Sequence, residues 1–114
     1  MLHIAVHFAI PTLVAVALYP RHRLRTALIL IATIAVDLDH LLADPIYDPN
    51  RCSIGFHPLH TLPAIILYAL LFTVPLVLPR KRLHPRQRSI LHTLHLIGLG
   101  LLLHMALDWS DCLF

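Results

Sequence analysis

Glutamate is absent from this 114-residue sequence, and all six acidic residues are aspartate. Charge is scarce altogether, with 13% charged residues against 58% hydrophobic ones. An ordinary soluble domain has about 25% charged and roughly 45–50% apolar residues, so the composition argues for a membrane protein. The apolar segments show no two-residue alternation, which excludes a transmembrane β-barrel, and no internal repeat is present. No basic segment precedes the first apolar run, which itself carries His3 and His7. A cleaved signal peptide is therefore not expected, and the chain is read as uncleaved. Neither a Ser-His-Asp nor a Cys-His nucleophile arrangement is evident, since Ser53 and Cys52 lack supporting context. The net charge of +3 comes from Lys and Arg in short loops between apolar runs. Such a distribution sets membrane topology rather than forming a phosphate-binding face, so no direct nucleic-acid partner is expected.

Four apolar runs are present: Leu2–Tyr19, Thr26–Ala43, Leu62–Pro79 and Ser89–Asp108. Each is near the roughly 20 residues that a helix needs to span a hydrocarbon core of about 30 Å. Pro11, Pro63 and Pro75 fall within or at the edge of these runs, as membrane helices tolerate. The expectation is an all-α fold: one transmembrane domain over residues 1–114, an integral membrane four-helix bundle with helices at about 2–19, 26–43, 62–79 and 89–108. A soluble bundle is the alternative, but the runs lack the polar face it needs. Loops 20–25 and 80–88 hold eight of the nine Lys and Arg residues, and loop 44–61 holds only Arg51. Cytoplasmic loops carry the Lys/Arg excess. The expected arrangement is N-out and C-out, multi-pass in a bacterial inner membrane. The lipid bilayer is the first partner, and the basic loops suit anionic lipid. The oligomeric state is left open.

That topology gathers ionisable side chains at one membrane face. His3 and His7 begin the first helix, and Asp37, Asp39 and His40 end the second. His57 and His60 precede the third, while His104 and Asp108 end the fourth. Residues three or four apart share a helical face, so His3 pairs with His7, Asp37 with His40, and His104 with Asp108. Asp111 extends the last stripe if the helix persists, and Asp39 points away from Asp37 on an ideal α-helix. Ionisable groups inside membrane segments mark ion, proton or substrate sites. His and Asp are also metal ligands. The expected metal ligands are therefore His3, His7, Asp37, Asp39, His40, His57, His60, His104 and Asp108, with Asp39 a ligand, an orienting carboxylate or a base. A hydrogen-bonded polar network without metal is the alternative. His22 and His84 are read as solvated, and His92 and His95 as interfacial or interhelical hydrogen bonders.

The stretches Asp37-Leu38-Asp39-His40, Arg51 with His57-Pro58-Leu59-His60-Thr61, and His104-Met105-Ala106-Leu107-Asp108 resemble a known family in combination and order. It is the bacterial inner-membrane family of membrane-bound metal-dependent hydrolases, of YdjM/YbcI type. The resemblance covers essentially the whole chain. It implies His7, Asp37, Asp39, His40, His60, His104 and Asp108 as ligands, with His3 and His57 weaker matches.

Three protein ligands plus water make the usual catalytic zinc site. The larger ligand set here leaves room for one or two divalent ions, zinc favoured and manganese second. Paired ions suit phosphate esters, and a site at the membrane boundary suits a lipid-linked substrate. Asp39 and Arg51 are the expected catalytic residues: Asp39 as general base, Arg51 as an anion clamp or else a partner of Asp44 or Asp48. The alternative function is metal binding or transport without hydrolysis. Cys52 and Cys112 should share the oxidising side, so a disulfide is expected, with thiolate ligation as the other reading.

Overall fold

The computed structural model describes residues 2–44, 52 and 54–113, without the side chains of Leu2 and His3. The described residues are helical in all regular segments. The order is α1 (Leu2–Leu18), α2 (Arg23–Ala32) running on as a 3₁₀-helix (Thr33–Leu42), a short 3₁₀ turn (Pro58–His60), α3 (Leu62–Val77) and α4 (Pro85–Leu113). Two further 3₁₀ turns, Pro20–His22 and Arg80–Arg82, lie in the basic loops. The expected helix positions are met within a few residues, except that α4 is longer at both ends. Pro85 opens it, where a missing N–H costs nothing, and its last turn continues past Asp108.

α4 is the axis of the fold, contacting α1, α2, the long 3₁₀-helix and α3. Two glycines allow this. A Cβ on Gly98 would stand 2.5 Å from the Phe72 backbone nitrogen in α3. One on Gly100 would stand 2.5 Å from Thr33 Oγ1, on the opposite flank. The apolar core is small and split in two. Ala15, Leu30 and Leu96 join α1, α2 and α4, while Val36, Tyr68 and Met105 join the 3₁₀-helix, α3 and α4.

The ten-residue 3₁₀-helix is unusual, since such runs seldom exceed three or four residues. Its three-residue turn sets Leu30, Thr33, Val36 and Asp39 in one buried row. It also corrects the expected direction of Asp39. Two residues apart on an α-helix are separated by about 160° around the axis, but by only about 120° on a 3₁₀-helix. Asp37 and Asp39 can therefore turn toward a common centre.

The interior and the surface are inverted relative to a soluble protein. Among the described residues, nine buried polar ones, including His7, Asp39, His57, His60, His95, His104 and Asp108, outnumber six buried hydrophobic ones. Large apolar side chains such as Leu13, Leu28, Leu62, Leu67, Val77 and Ile90 are exposed. Among the described residues, α4 alone can cross a membrane by length and composition, and α1 with α2 and its 3₁₀ continuation passes only as a pair bent by 113°. α3 is a shorter apolar helix. The four-helix, all-α expectation stands, while four separate spans are not reached on this measure.

Candidate metal centre

Four donors from three segments form a closed ring. His60 Nε2, in the 3₁₀ turn before α3, lies 3.0 Å from Asp108 Oδ2 and 3.3 Å from Asp37 Oδ1. His104 Nε2, on α4, lies 2.9 Å from the same Asp37 oxygen and 3.1 Å from the same Asp108 oxygen. Two imidazole nitrogens and two carboxylate oxygens thus alternate at about equal spacing. A tetrahedral ion with bonds of about 2.0–2.1 Å needs ligand–ligand edges of about 3.3–3.4 Å. The ring is slightly tighter than that, within the movement of a side chain. All four residues fall in one group whose ligand atoms lie within 4.8 Å of one another.

His60 is the best-oriented of the four candidate donors. Its Nδ1–H donates to Asp39 Oδ2 at 2.9 Å. That bond assigns the proton to Nδ1 and leaves the Nε2 lone pair facing the ring. His60 Nε2 is fully buried, and neither nearby carboxylate oxygen meets it with hydrogen-bond geometry. A lone pair facing two anionic oxygens is unfavourable unless a cation sits between them. Without an ion, the cation is a proton: burial pushes the His60 imidazole down, but the carboxylates of Asp108, Asp37 and Asp39 outweigh it and hold it at about 10. The residues therefore fit a divalent ion, and they also pair with one another.

Asp39 is the orienting group. It accepts from the Leu59 backbone N–H at 2.8 Å, from His60 Nδ1 at 2.9 Å and from His40 Nδ1 at 3.0 Å. A carboxylate behind a ligating histidine is a recurrent support of metal sites. Leu59 is held from its other side by the Tyr68 hydroxyl, which donates to its carbonyl at 2.8 Å. His104 differs from His60 here: its Nδ1 has no partner among the described residues.

The expected site residues separate into layers. Asp37, His60, His104 and Asp108 form the ring. Asp39 and His40 stand behind it, and Asp37, Asp39, His40 and His60 form a second possible ligand group. His7 reaches Asp108 Oδ1 at 3.0 Å from α1. His57 is buried and stacks on His40, ring centroids 3.7 Å apart. The His3 side chain, Arg51 and Asp48 lie outside the described residues. Asp111 joins His7 and Asp108 in a third group because α4 does persist. The Leu59 N–H and Tyr68 were not among the expected contributors. Backbone groups leave no mark in a sequence, and a single Tyr in an apolar helix is no signal.

Cys52 and Cys112 form a disulfide, so thiolate ligation is not available at this centre. It ties the segment leading to His57 and His60 to the end of α4 beside Asp111. At the other end of the bundle, His95 is an interhelical hydrogen bonder. Its Nδ1–H donates to the Phe72 carbonyl at 2.9 Å, and its Nε2 accepts from the Tyr19 hydroxyl at 2.9 Å.

A family model described as "Family of unknown function (DUF6122)" matches residues 1–83. The match holds His7, Asp37, Asp39, His40 and His60, whereas His104 and Asp108 lie beyond it. No model of the metal-dependent hydrolase family matches the chain, so the resemblance to that family rests on the motifs alone. No curated protein and no solved structure matches the chain.

Proposed function

The chain belongs to DUF6122, a family of unknown function, and for it we propose a metal-dependent hydrolase of the bacterial inner membrane, acting on phosphate esters with an apolar tail. The observation that carries this reading is the alternating ring of His60, Asp37, His104 and Asp108, with edges of 2.9–3.3 Å and three of its four residues buried. Two nitrogens and two oxygens without sulfur suit zinc first and manganese second. The inversion of polar interior and apolar surface supports a membrane setting, because exposed leucines face lipid without cost there. The split of basic residues supports both termini outside, with the centre on the outer face.

A divalent ion in the ring supplies Lewis acidity to the scissile bond and its attacking water. In the hydrolysis, the oxygen of water bonds to phosphorus, the bond from phosphorus to the alcohol oxygen breaks, and a proton from the water ends on that alcohol. Asp39 keeps His60 and His40 in fixed tautomers. His40, with a quarter of its side chain exposed, is the imidazole placed to exchange that proton with solvent. Asp37 is the ring's most exposed member and marks the side of approach. The apolar tail finds support in a cavity of about 490 Å³ lined by Ala32, Val36, Leu59, Tyr68, Ile97 and Leu101. Its wall shares Leu59 with the support of Asp39. The transport alternative has no comparable observation, since His95 spends both ring nitrogens on helix contacts.

The test is the metal content of full-length protein purified in detergent, followed by hydrolysis of phosphate esters and lipid phosphates, with chelator-stripped protein as control. Bound ion lost in both Asp37→Ala and His104→Ala, together with metal-dependent ester cleavage, is the expected result. Protein that holds no ion at micromolar zinc or manganese refutes the reading and leaves a proton-bridged polar network.

A further inference from the structure

Asp108 uses its two oxygens in different directions. Oδ2 belongs to the ring with His60 and His104, while Oδ1 lies 3.0 Å from His7 Nε2. Nearly one turn further along α4, Asp111 brings another carboxylate to the same place. One ligand atom from each of His7, Asp108 and Asp111 lies within 4.8 Å of the other two. His7 and Asp108 are buried and Asp111 is exposed, so this group is walled on the protein side and open on the other.

We propose that the protein holds two divalent ions bridged by the Asp108 carboxylate, the first in the ring and the second on His7, Asp108 and Asp111. This rests on the metal-centre reading of the ring.

The pairing also narrows the substrate. Ions bridged by one carboxylate stand about 3.5–4 Å apart, a spacing at which they stabilise both the attacking and the leaving oxygen of a phosphoryl group. A paired centre of this kind suits phosphate esters.

The experiment loads full-length, disulfide-intact protein with manganese and counts ions per chain by mass spectrometry. Electron paramagnetic resonance then reads the coupling between ions. Two ions with a coupled signal are expected in the wild type. Asp111→Asn, an exposed substitution, is expected to retain one ion with an uncoupled signal and an unchanged helical spectrum. His7→Gln should give the same count from the other side of the bridge. One ion in the wild type overturns the paired centre and leaves the single-ion hydrolase standing. Two ions retained in both variants overturn the assignment of the second site. No ion in any of them overturns this proposal together with the reading beneath it.

Discussion

Removing Asp39 tests whether the centre is built by support as well as by ligands. Three N–H groups converge on this carboxylate, from Leu59 at 2.8 Å, His60 at 2.9 Å and His40 at 3.0 Å. In Asp39→Asn the amide oxygen can keep the Leu59 and His60 bonds, and its NH₂ must then face His40 Nδ1–H. His60 stays oriented but loses the charge that raises its basicity. In Asp39→Ala the Leu59 N–H and His60 Nδ1–H are both left without an acceptor, and the ring can turn. Losing such a supporting carboxylate weakens metal affinity by about 10–100-fold, or about 1.4–2.7 kcal/mol. The expected order is therefore about tenfold for Asp39→Asn and about a hundredfold for Asp39→Ala. Competition titration of zinc against a fluorescent chelator measures both, with the helical spectrum checked for folding. If both folded variants bind zinc within about twofold of the wild type, Asp39 does not orient His60 and the layered site is wrong.

Three further outcomes follow from particular contacts. Gly98→Ala should destabilise the protein by about 1–3 kcal/mol, because the new Cβ meets the Phe72 backbone rather than a movable side chain; an unchanged thermal midpoint would mean that α3 and α4 are not so close. Cys112→Ser should lower the midpoint and weaken zinc binding, since the bridge closes a separation of 60 residues and removing it costs ~4 kcal/mol on a chain-entropy basis; a variant matching the oxidised wild type would count against it. His60, raised from 6.5 to about 10, gives stability to metal-free protein that is fully present below about pH 6.5 and lost as pH rises through about 10. An ion must displace that proton, so zinc affinity should strengthen by at least about tenfold per pH unit between about pH 7 and 9; an affinity independent of pH there would remove His60 from the ligands.

Much of this architecture was legible because the four apolar runs are joined by two basic loops and one with a single Arg, and because His and Asp recur where the runs flank that less basic side: at the start of the first, the end of the second, before the third and at the end of the fourth. The meeting of His7, Asp37, His60, His104 and Asp108 follows from that topology before any contact is known. Local geometry was not legible. Nothing in Thr33–Leu42 announces a 3₁₀-helix, so the α-helical expectation sent Asp39 away from the centre it supports. Nothing in the sequence announces the close approaches of Gly98 to Phe72 and of Gly100 to Thr33. The Leu59 N–H is invisible in a residue pattern, and its role depends on the register between Asp39 and the Pro58–His60 turn.

The most direct test of the centre is the X-ray absorption spectrum of zinc-loaded, full-length protein. The structure predicts a shell of nitrogen and oxygen at about 2.0–2.1 Å, with outer-shell scattering from imidazole and no sulfur. Both features should be lost in His60→Ala combined with His104→Ala. Sulfur at about 2.3 Å, or a shell of oxygen alone without imidazole, would contradict the ring of His60, Asp37, His104 and Asp108.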